Sequence, residues 1–224
     1  MATAPLAGPR RMLTLPGVYA PQHDTHLLMR AVGRRDIGPG THVLELGTGS
    51  GALAVHAARL GARVTAVDVS RRAVLCARVN AALHRSRVTV VRCDLSALGA
   101  GRYDMLLSNP PYVPAPAALP PLRGRARAWD GGRDGRAVVD RVCAAAGSVL
   151  RPGGTLLMVH SEMCGVEATI DALALAGLDA EVSDRELVPI GPVLRSRRSW
   201  LRGQGLMDDG QEKEELVVIR ARRR

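Results

Sequence analysis

A run of glycines between an apolar strand and a helix constrains this chain more than any other feature. Residues Glu45 to Gly51 follow an expected strand, His42 to Leu46, and lead into an expected helix, Gly51 to Leu60, closed by Gly61. Glycines there let the backbone approach a ligand closely, and the helix N-terminus offers free N–H groups. The same alternation continues along the chain. Strands are expected at Val64–Val67, Arg87–Arg92, Tyr103–Ser108 and Thr155–His160, with helices from Ser70 to about His84, from Gly135 to Leu150 and from Val166 to Ala176. Arg151 to Gly154 stops the second of these helices and Gly177 the third. Two more strands, Ala180–Leu187 and Leu216–Arg220, flank a long polar loop, and Asp24-Thr25 reads as an N-cap for a helix from Leu27 to Arg34. Strands alternating with helices predict an α/β fold whose central, mostly parallel, seven-stranded sheet carries helices on both faces. Residues 1–16, rich in Pro, Gly, Ala and Arg, read as a flexible lead-in, and 17–224 as a single domain.

Composition removes several classes. No run is long enough to span a membrane, and the N-terminus lacks the apolar core of a signal peptide, so a cytoplasmic protein with no membrane partner is expected. The four cysteines include no Cys-x-x-Cys pair, so no metal site and no disulfide framework are expected. His23 and His26 have no Cys or Glu neighbours and read as solvated. The formal charge is +10 and almost wholly arginine, which favours polyanions or an acidic partner. Aromatic residues are 2% of the chain, too few for a platform of stacked bases.

The glycine run alone fits two cofactors. Gly47, Gly49 and Ala52 satisfy the dinucleotide pattern, and Asp68 lies about 20 residues on, as a nicotinamide oxidoreductase would have it. Glu45 argues the other way. A negative charge suits a cationic sulfonium ligand better than a pyrophosphate. Asp68, ending the second strand, suits ribose hydroxyls, and Asp94, ending the third, suits an adenine amino group. After the fourth strand comes Asn109-Pro110-Pro111-Tyr112. Its two prolines remove two donors and stiffen the loop, and the residue before a proline is held extended. The Asn109 oxygen and the Pro110 carbonyl can accept from one NH2 group, and the Tyr112 ring can cover its flat face.

This set is similar to the Rossmann-like class I S-adenosylmethionine-dependent methyltransferases. In order along the chain, Val18 to Thr25, Glu45 to Gly51, Asp68, Asp94-Leu95, Asn109 to Tyr112 and Trp129 to Gly135 resemble HemK/PrmC-type protein-glutamine methyltransferases, over about residues 17–180 and nearest the short eukaryotic and archaeal branch. The resemblance implies S-adenosylmethionine as cofactor, held by Thr25, Glu45, Gly47, Thr48, Gly49, Gly51, Asp68, Asp94, Leu95 and Asn109. It implies that Asn109, Pro110, Pro111 and Tyr112 hold a substrate amide, the glutamine of the Gly-Gly-Gln loop of a translation release factor. It also implies a small zinc-binding activator paired with the edge of the third strand, here Val88–Val91. Two departures stand out: only about two dozen residues precede the first helix, where the bacterial enzymes carry a helical domain, and the loop Arg195–Glu215 is longer than the short branch has.

The chemistry expected of such a site is orientation and polarisation rather than acid–base catalysis. An amide nitrogen is a weak nucleophile because its lone pair is delocalised. Hydrogen bonds from its N–H groups to Asn109 and Pro110 push density back onto nitrogen, which must lie in line with the methyl carbon at roughly 3–3.5 Å. Adenine and guanine amino groups are planar conjugated nitrogens too, so a nucleic acid base is the alternative acceptor. Arg123, Arg125 and Arg127, with Arg195, Arg197, Arg198 and Arg202, are expected to form a basic rim at the pocket that can contact RNA or the ribosome.

Overall fold

The computed structural model describes residues 12–97, 99 and 102–224. Its strands are β1 His42–Leu46, β2 Arg63–Asp68, β3 Val88–Arg92, β4 Tyr103–Ser108, β5 Leu150–Ser161, β6 Leu178–Pro189 and β7 Lys213–Arg223. They form one sheet in the order β3-β2-β1-β4-β5-β7-β6. β1 to β5 run parallel, and β7 enters antiparallel between β5 and β6. The helices are α1 His23–Gly33, α2 Ala52–Arg59, α3 Arg71–Leu83, α4 Val139–Val149, α5 Val166–Leu175, α6 Pro192–Ser196 and α7 Arg198–Gly203. α1, α2 and α3 pack side by side, and α4 packs against α5. This is the class I methyltransferase architecture expected from the sequence.

Strands covered on both faces must be apolar throughout. Leu44, Leu106, Leu107, Leu156, Leu157 and Met158 are fully buried, and the core they build fixes the register, Leu44 against Leu106 and Leu106 against Leu156. β3 is a sheet edge, and Arg78 of α3 reaches round to donate to the Val90 carbonyl at 2.9 Å.

Several boundaries differ from expectation. α1 starts at His23 with Gln22 as a cap lacking a side-chain bond, so Asp24-Thr25 is no N-cap: both lie within the first turn, buried. Their short polar side chains are committed to the site instead. α4 starts at Val139, not Gly135. Residues 135–138 form a turn because the Arg136 guanidinium is drawn to the carbonyls of Cys164 and Gly165, at 2.6 and 3.0 Å. β5 begins at Leu150, its register shifting before regular pairing resumes at Met105 and Thr155. The segment between β6 and β7 is not simply a polar loop. It holds α6 and α7 around a small core of its own, Ile190, Leu194, Leu201 and Met207. Of the lead-in, residues 1–11 lie outside the described residues. Leu13 runs along α3, its N–H donating to Asn80 Oδ1 at 2.9 Å and its carbonyl accepting from Asn80 Nδ2 at 2.8 Å.

Candidate active site

Strand order reverses between β1 and β4, and a crevice at the carboxyl ends of those strands is where parallel sheets bind ligands. Glu45 sits one residue before the end of β1 and is 2% exposed. Thr48 Oγ1 donates to it at 2.6 Å. Burial pushes its carboxyl up to about 8, with the Thr48 hydroxyl and the Ala54 N–H opposing and Asp68 adding. A buried carboxyl without a cation suits a positively charged ligand. Asp68 ends β2 and ties the glycine loop to the start of α3: Oδ2 accepts from the Gly49 N–H at 3.1 Å and Oδ1 from Ser70 at 2.8 Å. Burial raises its carboxyl as well. Asp94 lies just past β3, paired with Arg141 of α4 at 2.7 Å, and Leu95 opens a short 3-10 turn.

The glycines between these acids have distinct tasks. A Cβ at Gly51 (φ 83°) would stand 3.0 Å from Ala77, so glycine lets α2 press against α3. At Gly47 (φ 69°) a Cβ would meet nothing within 4 Å, so the loop faces open space between the acids. That open cradle, with three acids at successive strand ends, fits the methionine, ribose and adenine portions of S-adenosylmethionine.

Asn109 follows β4, and its Nδ2 donates to Thr25 Oγ1 at 3.2 Å. Thr25 Oγ1 donates in turn to Asp24 Oδ1 at 3.1 Å. Asp24 Oδ2 accepts from two phenols, Tyr19 at 2.8 Å and Tyr112 at 3.1 Å. A threonine hydroxyl has one proton. Spending it on Asp24 leaves the hydroxyl as acceptor for Asn109, and this network fixes which way the Asn109 amide points. Its Oδ1 has no partner among the described residues and is left for a donor. Beside it lies a cleft of ≈ 20 Å³, lined by Tyr19, Asp24, Asn109, Pro110, Tyr112 and Trp129 among others. That is room for one water-sized group, the size of an NH2. The Tyr112 ring is 8% exposed and forms a wall of the cleft, while its hydroxyl is committed to Asp24.

The fold thus brings Thr25, Glu45, Gly47, Thr48, Gly49, Gly51, Asp68, Asp94, Leu95 and Asn109 to one end of the sheet, with Pro110, Pro111 and Tyr112 adjoining. Of the expected basic rim, three arginines of the second cluster are held in ion pairs. Arg197 is paired with buried Asp130 at 2.6 Å and donates to the Pro114 carbonyl at 2.8 Å. Arg198 pairs with Glu212 and Arg202 with Asp209. In this second cluster only Arg195 is unpaired among the described residues. Sequence reasoning missed Asp24 as the node of the network, since an acid at a helix start reads as a cap. It also missed Glu214 of β7, whose Oε2 is buried without a hydrogen-bond partner among the described residues. Burial pushes Glu214 up to about 7, with the Ser161 hydroxyl opposing and Asp24 adding. Nothing local marks Glu214, because its neighbours come from other segments.

Fold and site together define a class I S-adenosylmethionine-dependent methyltransferase. A family model described as the methyltransferase small domain matches residues 10–119. A Methanocaldococcus jannaschii protein named "Putative protein N5-glutamine methyltransferase" is 33% identical over 178 residues, 78% of this chain and 87% of that one. The chain belongs to the HemK/PrmC-type protein-glutamine methyltransferase family. The release factor glutamine methyltransferase of Mycobacterium tuberculosis H37Rv is 33% identical over 207 residues, but this chain covers 67% of its length. The E. cuniculi Mtq2–Trm112 complex, described as responsible for methylating the termination factor eRF1, shares the fold with a TM-score of 0.64 at 24% identity, over 93% of this chain and 99% of that one. Among the described residues, no cluster of His, Cys, Asp and Glu could hold a metal ion and no helix is long and apolar enough to cross a membrane.

Proposed function

We propose that this protein methylates the side-chain amide nitrogen of a glutamine in a translation release factor, within its Gly-Gly-Gln loop. One observation carries the reading: Thr25 holds the Asn109 Nδ2, which leaves Oδ1 as the amide's acceptor, and Asn109 lines a cleft the size of an NH2 group. The Asn109 oxygen and the Pro110 carbonyl accept the two N–H groups of the substrate, which raises density on nitrogen and orients it. Pro111 stiffens the loop, and the Tyr112 ring confines the amide plane. S-adenosylmethionine, when bound, supplies an electrophilic methyl group. Glu45 takes the cationic methionine portion with Thr25 and Thr48, Asp68 the ribose hydroxyls, and Asp94 with Leu95 the adenine, while Gly47, Gly49 and Gly51 give the backbone its close approach. The methylated nitrogen is acidic and loses its proton to water, so no general base is assigned.

A small zinc-binding activator paired with β3 belongs to this reading. The outward face of α3 carries Leu75, Val79 and Leu83, 56%, 37% and 65% exposed, and Val91 of β3 is 41% exposed. Apolar side chains beside a free strand edge want cover. Pairing there requires Arg78 to release the Val90 carbonyl. A cytoplasmic location agrees with the four free thiols, and an RNA or ribosome contact through Arg123, Arg125 and Arg195 agrees with their charge.

The test is transfer of labelled methyl from S-adenosylmethionine to purified release factor, beside a variant whose loop glutamine is replaced by alanine. Label that requires the glutamine supports the reading. Label that persists in the alanine variant, or that RNase removes from a lysate, assigns the acceptor elsewhere, the second case favouring a base amino group.

A further inference from the structure

We propose that a second surface, at the end of the sheet opposite the active site, binds the phosphate backbone of RNA. The amino ends of β1 to β4 and the carboxyl ends of α2 and α3 enclose an open groove of ≈ 980 Å³. Arg59, Arg63, Arg85 and Arg87 line it with His42 and His84, and no carboxylate among the described residues does. None of the four guanidiniums has an ion pair or hydrogen bond among the described residues. Asp104, whose carboxylate accepts from the His42 N–H at 2.7 Å, is already paired with Arg151. The arginines that rim the active site behave differently, since three of the four between 195 and 202 are tied up in ion pairs.

The ordinary task of a cation at a helix carboxyl end is to complement the macrodipole. Two helix ends supply about −0.5 each, so four guanidiniums exceed that need and leave a charge of about +3. Arg85 adds a second mark. It sits just past α3 in the left-handed region, at φ 49°, where glycine is the usual residue. The chain keeps an arginine there at a conformational cost. Beside the arginines and histidines the lining mixes polar Thr65, Ser86 and Thr89 with small apolar Pro39, Ala58, Ala62, Val64 and Val88, and Tyr103 is its one large ring. Protein interfaces are built on apolar and aromatic anchors. Nucleic acid interfaces are polar and strongly positive, and contacts to phosphate need no stacking. The groove therefore fits structured RNA, held by its backbone without regard to sequence.

The test uses the full chain and a fluorescent RNA hairpin, with binding read by anisotropy between about 50 and 200 mM salt, a range over which phosphate contacts can be counted. Each contact contributes roughly 0.7–0.9 to the slope of log K against log salt. The variant R59Q/R63Q/R85Q/R87Q is expected to lose about 3 from that slope and at least about tenfold in affinity at low salt. The lysine variant R59K/R63K/R85K/R87K should keep most of both, and R123Q/R125Q/R195Q, on the opposite rim, should lose clearly less than the groove variant. Cofactor binding by each variant checks its fold. The proposal is overturned if the natural protein shows no salt-dependent RNA affinity, if the rim variant loses as much as the groove variant, or if poly-glutamate of equal charge competes as well as RNA. None of these readouts involves methyl transfer, so the outcome is independent of the glutamine reading.

Discussion

The Asn109 side-chain nitrogen donates to Thr25 Oγ1 across 3.2 Å, joining residues 84 apart in the chain. Thr25 belongs to α1 and Asn109 to the loop after β4, so the contact binds the helix that opens the domain to the loop that faces the cleft. Asn109→Ala is expected to lower turnover by about 10²-fold or more, the scale of a lost polarising contact, while changing cofactor affinity far less. Thr25→Val keeps the shape but lets the amide turn over, so its turnover should fall by less than that of Asn109→Ala. Steady-state kinetics beside calorimetry of cofactor binding separates the two quantities. Equal losses of turnover and affinity in Asn109→Ala would assign that residue to the cofactor alone.

The acids of the crevice predict a proton signature. Burial raises Glu45 to about 8 in the free protein. A cationic ligand favours its ionised form, so binding S-adenosylmethionine at pH 7 should release a proton, and affinity should rise as pH climbs toward 8. Calorimetry in buffers of different ionisation enthalpy reads that release, which Glu45→Gln should abolish. Stability of the free protein runs the opposite way. Between the ordinary carboxyl value and about 8, the folded state holds a proton that the unfolded chain has lost, so stability falls as pH rises. Asp68→Ala should weaken cofactor binding by about 1–3 kcal/mol, and NAD should bind neither form usefully.

Much of this site could be read without coordinates, for a physical reason. Glu45, Asp68 and Asp94 each follow an apolar strand, and a parallel sheet places all strand ends together, so counting strands locates the acids. Asn109 is announced by the two prolines beside it. What escaped depends on contacts between distant segments. Asp24 looked like a helix cap because its two phenol partners, Tyr19 and Tyr112, meet only after folding. Arg197 looked like a free surface charge because its partner, Asp130, comes from another loop. The helices α6 and α7 were hidden by their shortness, since Leu194 and Leu201 lie in different helices and give no sustained period.

Asp24 carries a stability prediction. It is 2% exposed and accepts both phenols on one oxygen. Hydrogen bonds to charged groups contribute about 1.5–3 kcal/mol, so Tyr112→Phe should destabilise by an amount in that range. Asp24→Ala should cost more than Tyr112→Phe, because it strands two phenols and the Thr25 hydroxyl at once. Urea unfolding monitored by circular dichroism measures both. If the two variants lose the same amount, the network is not cooperative and Tyr19 gains little from Asp24.

Arg197 and Arg195 separate structure from recognition within one turn of chain. Arg197 holds Asp130 at 2.6 Å with side chains 18% and 10% exposed, and it donates to the Pro114 carbonyl, so it clamps the segment between β6 and β7 onto the loop that follows Tyr112. Removing one partner of such a pair leaves a buried charge uncompensated and typically costs about 3–5 kcal/mol. Arg197→Ala should therefore lower stability by roughly 3 kcal/mol, and Arg197→Ala with Asp130→Ala should recover a good part of the loss, because the orphaned carboxylate is gone. Arg195 is exposed and unpaired among the described residues. Arg195→Ala should leave stability unchanged within about 0.5 kcal/mol and, if the substrate is presented on a polyanion, raise its apparent KM with a shallower salt dependence. A double-mutant cycle on Arg197 and Asp130, read by urea unfolding, decides the first point. A coupling near zero would make the ion pair incidental and leave the Pro114 contact and the packing of Val113 to tie the two loops together.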